Sequence, residues 1–332
     1  MATENYDYLQ DLFIDEVKGA LDRWNGSGGS SDEDTGVGGI IYKEFDYQGY
    51  LTSAKVYGDR PPSYAFYSNS RLTSVELPAN LHWISNYMFY GCSNLALTEL
   101  PEGVTSIGQY AFANCTKLAL TKLPASLTYI GTFAFSKCEN IAFTQLPAGV
   151  TQIVNSAFEN CTPLALTELP AGLTSIGERA FYGCSNLALT ELPEGVTSIG
   201  MRAFENCTNL ALTKLPDGVT YISSSAFAQC TNLALTELPD GVTDIGSYAF
   251  SDCTNLTSIE LSAGVAIKSW AFENCTGLTK LTFKGMPTSI GSNAFKGCTN
   301  LKTINVPWAE GEVANAPWGA TKATINYNYT GA

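Results

Sequence analysis

Apolar and polar positions along this chain follow a pattern that repeats every 23 residues. A phenylalanine stands three positions before each of ten cysteines, and the surrounding sequence runs nearly unchanged as L-P-x-G-V-T-x-I-G-x-x-A-F-x-x-C-T-x-L-A-L-T. The cysteines occupy positions 92, 115, 138, 161, 184, 207, 230, 253, 275 and 298, so a single interval is 22 residues long. One such unit cannot bury its apolar face by itself, and the pattern therefore predicts a tandem repeat solenoid.

Each unit begins with one short strand and one tight helical turn. In residues 104–107 β-branched residues alternate, which favours an extended conformation that ends at Gly108. Ala111, Phe112 and Cys115 follow at spacings that suit one or two helical turns facing inward. The unit thus predicts a strand followed by a helical turn.

A second extended run closes each unit. In residues 118–123 leucines recur until a proline ends the run, because proline lacks the amide that a strand ladder needs. Most copies read L-A-L-T-E-L, whereas residues 256–261 read L-T-S-I-E-L. The pattern leaves open which of Leu235 and Thr236 faces inward.

This repeat resembles the BspA-like class of leucine-rich repeat proteins, whose consensus contains I-P-x-x-V-T-x-I-G-x-x-A-F-x-x-C. The resemblance covers roughly residues 40 to 306, and it is carried by residues such as Leu192-Pro193, 196–200, Ala203-Phe204, Cys207 and Leu210. It implies a leucine-rich-repeat right-handed β/α superhelix with two short strands and one short helical turn per 23-residue unit. It also implies a bacterial, phage or protozoan surface protein that binds other molecules and has no catalytic chemistry.

The chain divides into five parts on this interpretation. They are an amphipathic helix at 1–25, a flexible acidic Gly/Ser linker at 26–39, an N-terminal cap with degenerate repeats at 40–72, leucine-rich repeats at 73–301 and a C-terminal cap at 302–332. In the degenerate part Asn69 takes the cysteine position, as suits a column of core residues that ends near water.

The first 25 residues have an apolar face at three- and four-residue steps, which predicts the amphipathic helix. The residues of this face proposed for oligomerisation or docking are Leu9, Leu12, Phe13, Val17, Leu21 and Trp24. Two roles are open: an element that self-associates or docks on a scaffold, and a lid folded back on the solenoid. This acidic N-terminus has no basic start and no continuous apolar core, so we expect neither a secretion signal nor a membrane span.

The charge of the chain limits its partners. The net charge is −13, and residues 1–39 contribute −7, from nine acids against Lys18 and Arg23. Phosphate binding needs clustered lysine and arginine, which no stretch supplies. We therefore expect no nucleic-acid partner.

The ten cysteines predict buried free thiols rather than bridges or a metal site. Stacked units separate neighbouring cysteines by about 4.8 Å with parallel side chains, whereas a disulfide needs Cβ atoms at about 3.5–4.5 Å and turned vectors. Zinc needs four converging ligands, and each unit offers one thiol. His82 is the single histidine, and no nucleophile has a base beside it. We expect no catalytic residues, no metal and no cofactor.

The residue before each repeat alanine varies and offers a candidate ligand-binding surface. Stacking would place Tyr87, Tyr110 and Phe133 in one strip and Tyr248 and Trp270 in another. Ordinary packing between turns is the competing interpretation.

These features predict a non-enzymatic binding or adhesion protein that displays a recognition face for a host or cell-surface protein or glycan. The alternatives are a phage or prophage tail-associated receptor-binding protein and a purely structural repeat spacer. The resemblance implies an extracellular or surface-displayed location, and the tail alternative implies a virion-associated one.

Overall fold

Short strands, stacked one turn above another, form the framework of the molecule. The computed structural model describes residues 40–330, and within that range it contains seventeen strands and no helix. A hairpin of β1 (Ile40–Phe45) and β2 (Leu51–Val56) comes first, and β3 (Ser74–Glu76) pairs in parallel with β2. The predicted helix at 1–25, with its apolar face, and the linker at 26–39 lie outside the described residues.

Ten strands of two residues each come from the T-x-I segment of successive repeats. They are β4 (Trp83–Ile84), β5 (Ser106–Ile107), β6 (Tyr129–Ile130), β7 (Gln152–Ile153), β8 (Ser175–Ile176), β9 (Ser198–Ile199), β10 (Tyr221–Ile222), β11 (Asp244–Ile245), β13 (Ala266–Ile267) and β15 (Ser289–Ile290). Neighbours pair in parallel with isoleucine beside isoleucine. This confirms the predicted solenoid and its first strand.

The two-residue strands form three sheets, in the orders β4-β5-β6, β7-β8-β9 and β10-β11-β13-β15, rather than one. The glycine that follows six of these ten strands explains how closely the turns approach. A Cβ added at Gly131 would lie 2.7 Å from the backbone nitrogen of Gln109, and one at Gly200 would lie 2.5 Å from that of Glu178. Both nitrogens belong to the preceding turn, so a side chain at this position forces the turns apart.

Both breaks between these sheets occur where the glycine is replaced. Val154 follows β7, and among the described residues its amide makes no hydrogen bond to the Ile130 carbonyl. The amide of Gly131 makes the equivalent hydrogen bond to the Ile107 carbonyl at 2.8 Å. Ser223 follows β10, and its hydroxyl donates to the Ile199 carbonyl at 2.6 Å in place of the amide. Lys268 is the exception, since its repeat is one residue shorter and its amide still reaches Ile245 at 2.9 Å.

The predicted helical turn is wrong. Tyr110 and Asn114 have positive φ angles of 53° and 61°, which no α-helix contains. The amides also alternate: that of Ala113 bonds to Tyr110 within the turn at 3.3 Å, whereas that of Phe112 bonds to Ala134 of the next turn at 2.8 Å. The segment is therefore a pair of tight turns joined to the next repeat.

The inward residues of this segment were predicted correctly. Ala111, Phe112 and Cys115 are fully buried. Eleven phenylalanines, at 66, 89, 112, 135, 158, 181, 204, 227, 250, 272 and 295, stack with centroids 5.1–5.6 Å apart. Burying each ring stabilises the fold by about 1.5–3 kcal/mol relative to leaving it exposed.

The second predicted strand forms only near the two ends of the stack. It is present as β3, β12 (Ser258–Leu261), β14 (Lys280–Phe283) and β16 (Thr303–Asn305), and between residues 95 and 238 the same run is irregular. In the L-A-L-T-E-L copy at residues 233–238 Leu235 is buried. Thr236 and Glu237 are both exposed, and they precede the next buried leucine, Leu238. Strict alternation, which a strand requires, is lost there.

The two ends of the stack are closed differently. At the N-terminal end the Asn69 side chain takes the place of a thiol and donates to the Leu51 carbonyl at 3.2 Å. At the C-terminal end β17 (Thr324–Asn326) pairs in parallel with β16. The Trp318 side chain is buried beneath the last turn.

Within residues 40–330 the structure has no helical segment with the length and hydropathy of a membrane span.

Candidate recognition surface

A continuous stack of aromatic rings lies on the turn side of the first four complete turns. Tyr64, Tyr87, Tyr110 and Phe133, here called the aromatic strip, have successive centroid distances of 4.8, 4.8 and 4.5 Å. The predicted neighbourhood of Tyr87, Tyr110 and Phe133 is confirmed. Tyr64 was missed, although it precedes Ala65-Phe66 as the others precede their own Ala-Phe pairs.

A second short column lies against the strip. Tyr67 and Tyr90 stack on each other at 4.9 Å and tilt against Tyr87 at 6.3 and 6.0 Å. Both residues directly follow a core phenylalanine, and that position was not considered in the sequence. Together the two columns form an aromatic cluster of six rings.

The backbone holds the strip residues in an uncommon conformation. Tyr64, Tyr87, Tyr110 and Phe133 have φ angles of 63°, 55°, 53° and 56°. The left-handed region costs a residue with a side chain about 1–2 kcal/mol. Stacking returns about 0.5–1.5 kcal/mol per aromatic pair. The rings therefore largely offset a conformational cost that the turn imposes.

Burial affects the chemistry of these phenols. The rings are half-buried, and burial raises the pKa of Tyr87 to about 12 and raises the pKa of Tyr64 and Tyr67 above the ordinary value. The three hydroxyls stay protonated at neutral pH. Each can therefore both donate and accept a hydrogen bond at the surface.

Stacking determines which part of each ring meets solvent. The interplanar angles along the strip are 10°, 15° and 9°, so Tyr87 and Tyr110 have a neighbouring ring on both faces. Only their edges face outward. Ring edges with hydroxyl groups suit contacts with a protein surface, whereas a sugar ring stacks on an open aromatic face.

The second predicted pair is separate from the strip. Tyr248 and Trp270 stack at 5.4 Å and 5°, and the Tyr248 side chain is 39% exposed. Four turns, bearing Ser156, Arg179, Arg202 and Ser225 at the same position, lie between Phe133 and Tyr248. The structure does not bring the two groups of rings together.

A charged cluster occupies the interval between the two aromatic groups. Arg179 lies 3.7 Å from Glu159 and 5.6 Å from the ring centre of Tyr182, and Arg202 lies 3.5 Å from Glu205. One carboxylate oxygen of each glutamate and the Arg179 Nε are buried and make no hydrogen bond in the described structure, although the Glu205 oxygen is the one that lies 3.5 Å from Arg202. Burial raises the pKa of Glu205, while Arg202 and Arg179 oppose this rise. Nothing in the repeat pattern predicted this cluster.

The ten cysteines form a buried column and not a reactive site. All are free thiols, as predicted. Each thiol also donates to the carbonyl of the phenylalanine in the preceding turn at 2.9–3.1 Å, for example Cys184 to Phe158 at 3.0 Å. Burial raises the pKa of Cys184 well above its ordinary value. The prediction of apolar filling missed this hydrogen bond.

His82 and the charged residues of the second extended run lie on the solvent-exposed surface. His82 is exposed, and its Nδ1 lies 2.9 Å from the Gly103 carbonyl oxygen. Lys122 and Lys214, in the second extended run, pair with Glu102 and Glu194 at 2.7 Å. Exposed ion pairs of this kind contribute about 0–1 kcal/mol.

Comparisons with known proteins agree on the repeat. A family model described as the BspA type leucine rich repeat region matches in 6 copies, over residues 61–188, 153–266 and 231–313. A comparison with curated proteins finds no match.

Three solved structures share the fold. A leucine rich cell surface protein from Faecalibacterium prausnitzii is 26% identical with a TM-score of 0.53, and the match covers 92% of this chain and 97% of that one. A leucine-rich repeat protein from Bacteroides ovatus is 24% identical, with a TM-score of 0.51 and coverage of 83% and 84%. The pneumococcal vaccine antigen PcpA is 17% identical, with a TM-score of 0.55 and coverage of 86% and 82%.

Proposed function

The chain belongs to the family of BspA type leucine-rich repeat proteins, and on that premise we propose that it is a non-enzymatic binding protein that recognises a protein on a cell surface. The aromatic strip is the contact surface. The observation that carries this proposal is the stack of Tyr64, Tyr87, Tyr110 and Phe133, in which the two inner rings have both faces covered and present their edges outward.

The energetics of the strip support a binding role. Tyrosine is enriched among the residues that dominate protein interfaces, because it supplies a large, rigid contact with a polar end. Packing has already ordered these rings, so little side-chain entropy is lost when a partner binds. The neighbouring charged cluster, in which the Arg179 and Arg202 side chains are 39% and 40% exposed, would add selectivity for a partner with matching groups.

The location is proposed from the relatives. The Faecalibacterium prausnitzii protein is described as a cell surface protein, and its match extends over nearly the whole of both chains. We infer a surface-displayed or secreted location for this chain as well. Attachment through residues 1–25, either to a second copy or to a larger particle, remains part of the proposal.

The test compares binding of the labelled full-length protein to intact epithelial and bacterial cells before and after protease treatment. The Tyr110→Ser and Phe133→Ser double variant should lose about tenfold or more in affinity for the cells that bind. Serine fits the backbone, because Ser156 and Ser225 occupy the same repeat position with φ angles of 53° and 54°.

The matched control is Tyr221→Ser, which removes an exposed tyrosine from a different side of the solenoid. This variant should bind as the wild type does. A double variant that binds with unchanged affinity, or strip-dependent binding that survives protease treatment, would contradict a protein ligand at the strip.

A further inference from the structure

A second set of aromatic residues lies on the strands rather than on the turns, and it is arranged differently. Trp83 in β4 pairs in register with Ser106 in β5, and Ser106 pairs in register with Tyr129 in β6. The Trp83 and Tyr129 side chains are 38% and 50% exposed. The two rings therefore stand on either side of a serine, on the same side of one small sheet.

The distance between these two rings leaves room for one more ring stacked between them. Two strand spacings separate Trp83 from Tyr129, or about 9.6 Å, and the structure records no contact between their rings. In the aromatic strip two successive steps of 4.8 Å join Tyr64 to Tyr110, and the ring of Tyr87 fills the space between them. Ser106 is too small to do the same, so one flat ring fits between Trp83 and Tyr129.

The outer face of Trp83 is already covered. The guanidinium of Arg60, from the preceding turn, lies over the indole at 5.9 Å from the ring centre. The face directed toward Ser106 and Tyr129 has no such neighbour among the described residues. This arrangement holds one wall of the gap in place and leaves its inner surface accessible.

The charge and polarity of this surface match a neutral ligand with hydroxyl groups. The six strand positions from β4 to β9 are Trp83, Ser106, Tyr129, Gln152, Ser175 and Ser198, and none is charged in a chain of net charge −13. Beside the gap, the hydroxyls of Thr105 and Thr128 donate to backbone carbonyls at 3.2 Å, so their oxygens keep lone pairs that can accept hydrogen bonds. The Arg60 guanidinium lies on the other face of the Trp83 indole and not in the gap.

We propose that the Trp83–Ser106–Tyr129 gap binds one ring of a neutral glycan. The C–H face of a pyranose carries a slight positive charge that meets the negative face of an aromatic ring. The sugar hydroxyls bond to Ser106 and the neighbouring threonines. An aromatic side chain of a protein would fill the same gap but would leave the lone pairs of those hydroxyl oxygens without hydrogen-bond donors, which costs free energy.

The test uses the full-length protein on an array of neutral, sialylated and sulfated glycans, followed by titration calorimetry with the neutral glycan that binds best. Wild-type protein should bind neutral glycans in preference to charged ones. Trp83→Ala and Tyr129→Ala should each weaken binding by about tenfold or more. Ser106→Tyr should abolish binding, because the new ring occupies the gap.

Tyr221→Ala is the matched control, since Tyr221 has the same strand position and 47% exposure but has Ser198 and Asp244 rather than an aromatic residue in its neighbouring turns. It should leave affinity unchanged, and thermal unfolding shows that each variant is folded. The Tyr110→Ser and Phe133→Ser double variant should still bind the glycan, which separates this site from the strip. Failure of the wild type to bind any neutral glycan, or an equal loss with Tyr221→Ala, would overturn the proposal.

Discussion

At the scale of single residues, the cysteine is the position where chemistry and packing combine most closely. Each thiol fills a small buried space and also donates to a phenylalanine carbonyl of the preceding turn, as Cys184 does to Phe158 at 3.0 Å. The same carbonyl accepts the amide of Cys161 at 3.1 Å. A carbonyl with two acceptor sites is thus fully paired inside the core, which serine, more strongly hydrated in the unfolded chain, would achieve less favourably.

The burial of these thiols predicts that the folded protein becomes less stable at alkaline pH. Thiols of the unfolded chain ionise near pH 8.5, whereas burial raises the pKa of Cys115, Cys184 and their column neighbours well above that. Above about pH 8.5 the unfolded chain therefore gains stability from ionisation while the folded chain stays protonated. The free energy of unfolding should fall by up to about 1.4 kcal/mol per pH unit per thiol.

Urea unfolding of the full chain at about pH 7 and pH 10 measures this loss. A Cys161→Ala and Cys184→Ala double variant is less stable at pH 7 but should lose less between the two pH values. Equal pH dependence in the variant and the wild type would show that the thiols do not contribute.

At the scale of elements, the repeat position after the short strand, which is most often glycine, governs whether two turns of equal length share one sheet. Where glycine is present the backbones touch, and where Val154 or Ser223 replaces it the sheet is interrupted. The three sheets are therefore a direct result of two substitutions in one repeat position.

Gly200→Ala tests this explanation. The added methyl would lie 2.5 Å from the Glu178 backbone nitrogen, so the variant should be destabilised by about 1–3 kcal/mol. In Gly172→Ala the methyl meets only the Thr151 methyl at 3.9 Å, and the stability should change by less than about 0.5 kcal/mol. Urea unfolding of both variants measures the difference, and equal effects would remove close approach as the cause.

The sequence predicts the elements unequally, for physical reasons. Periodicity identifies the inward residues, such as Phe112 and Cys115, because the buried positions carry the same residue types in successive repeats. It did not reveal that Tyr110 and Asn114 are left-handed, since residues with side chains rarely adopt that conformation. The gap beside Ser106 was also missed, because it depends on which side chains meet across paired strands.

At the scale of the whole molecule, every turn contacts chiefly the turns directly before and after it. Amides such as that of Phe204 bond forward to Ala226 at 2.9 Å, and thiols such as that of Cys207 bond backward to Phe181 at 3.0 Å. The free energy of unfolding is then nearly the sum of one contribution from each turn and one from each interface between neighbouring turns. The molecule carries two aromatic surfaces with different exposed parts, ring edges on the turns and ring faces on the strands.

Removal of one whole unit should therefore leave a folded protein. Deletion of residues 185–207 joins Cys184 to Thr208, and a threonine or serine follows nine of the ten cysteines of the repeat. We expect a cooperative urea transition with a smaller slope, because less surface is exposed on unfolding. Deletion of residues 185–195 alone, which is not a whole unit, serves as the comparison and should abolish the transition. An equally stable partial deletion would contradict the additive picture.

The alternation of forward amide bonds and backward thiol bonds also bears on how such a molecule changes over generations. Every turn presents the same donors and acceptors on its two sides, so its coding sequence can gain or lose a copy by recombination without creating a mismatched junction. Lineages can thereby change the length of the protein while keeping the aromatic residues of the first turns.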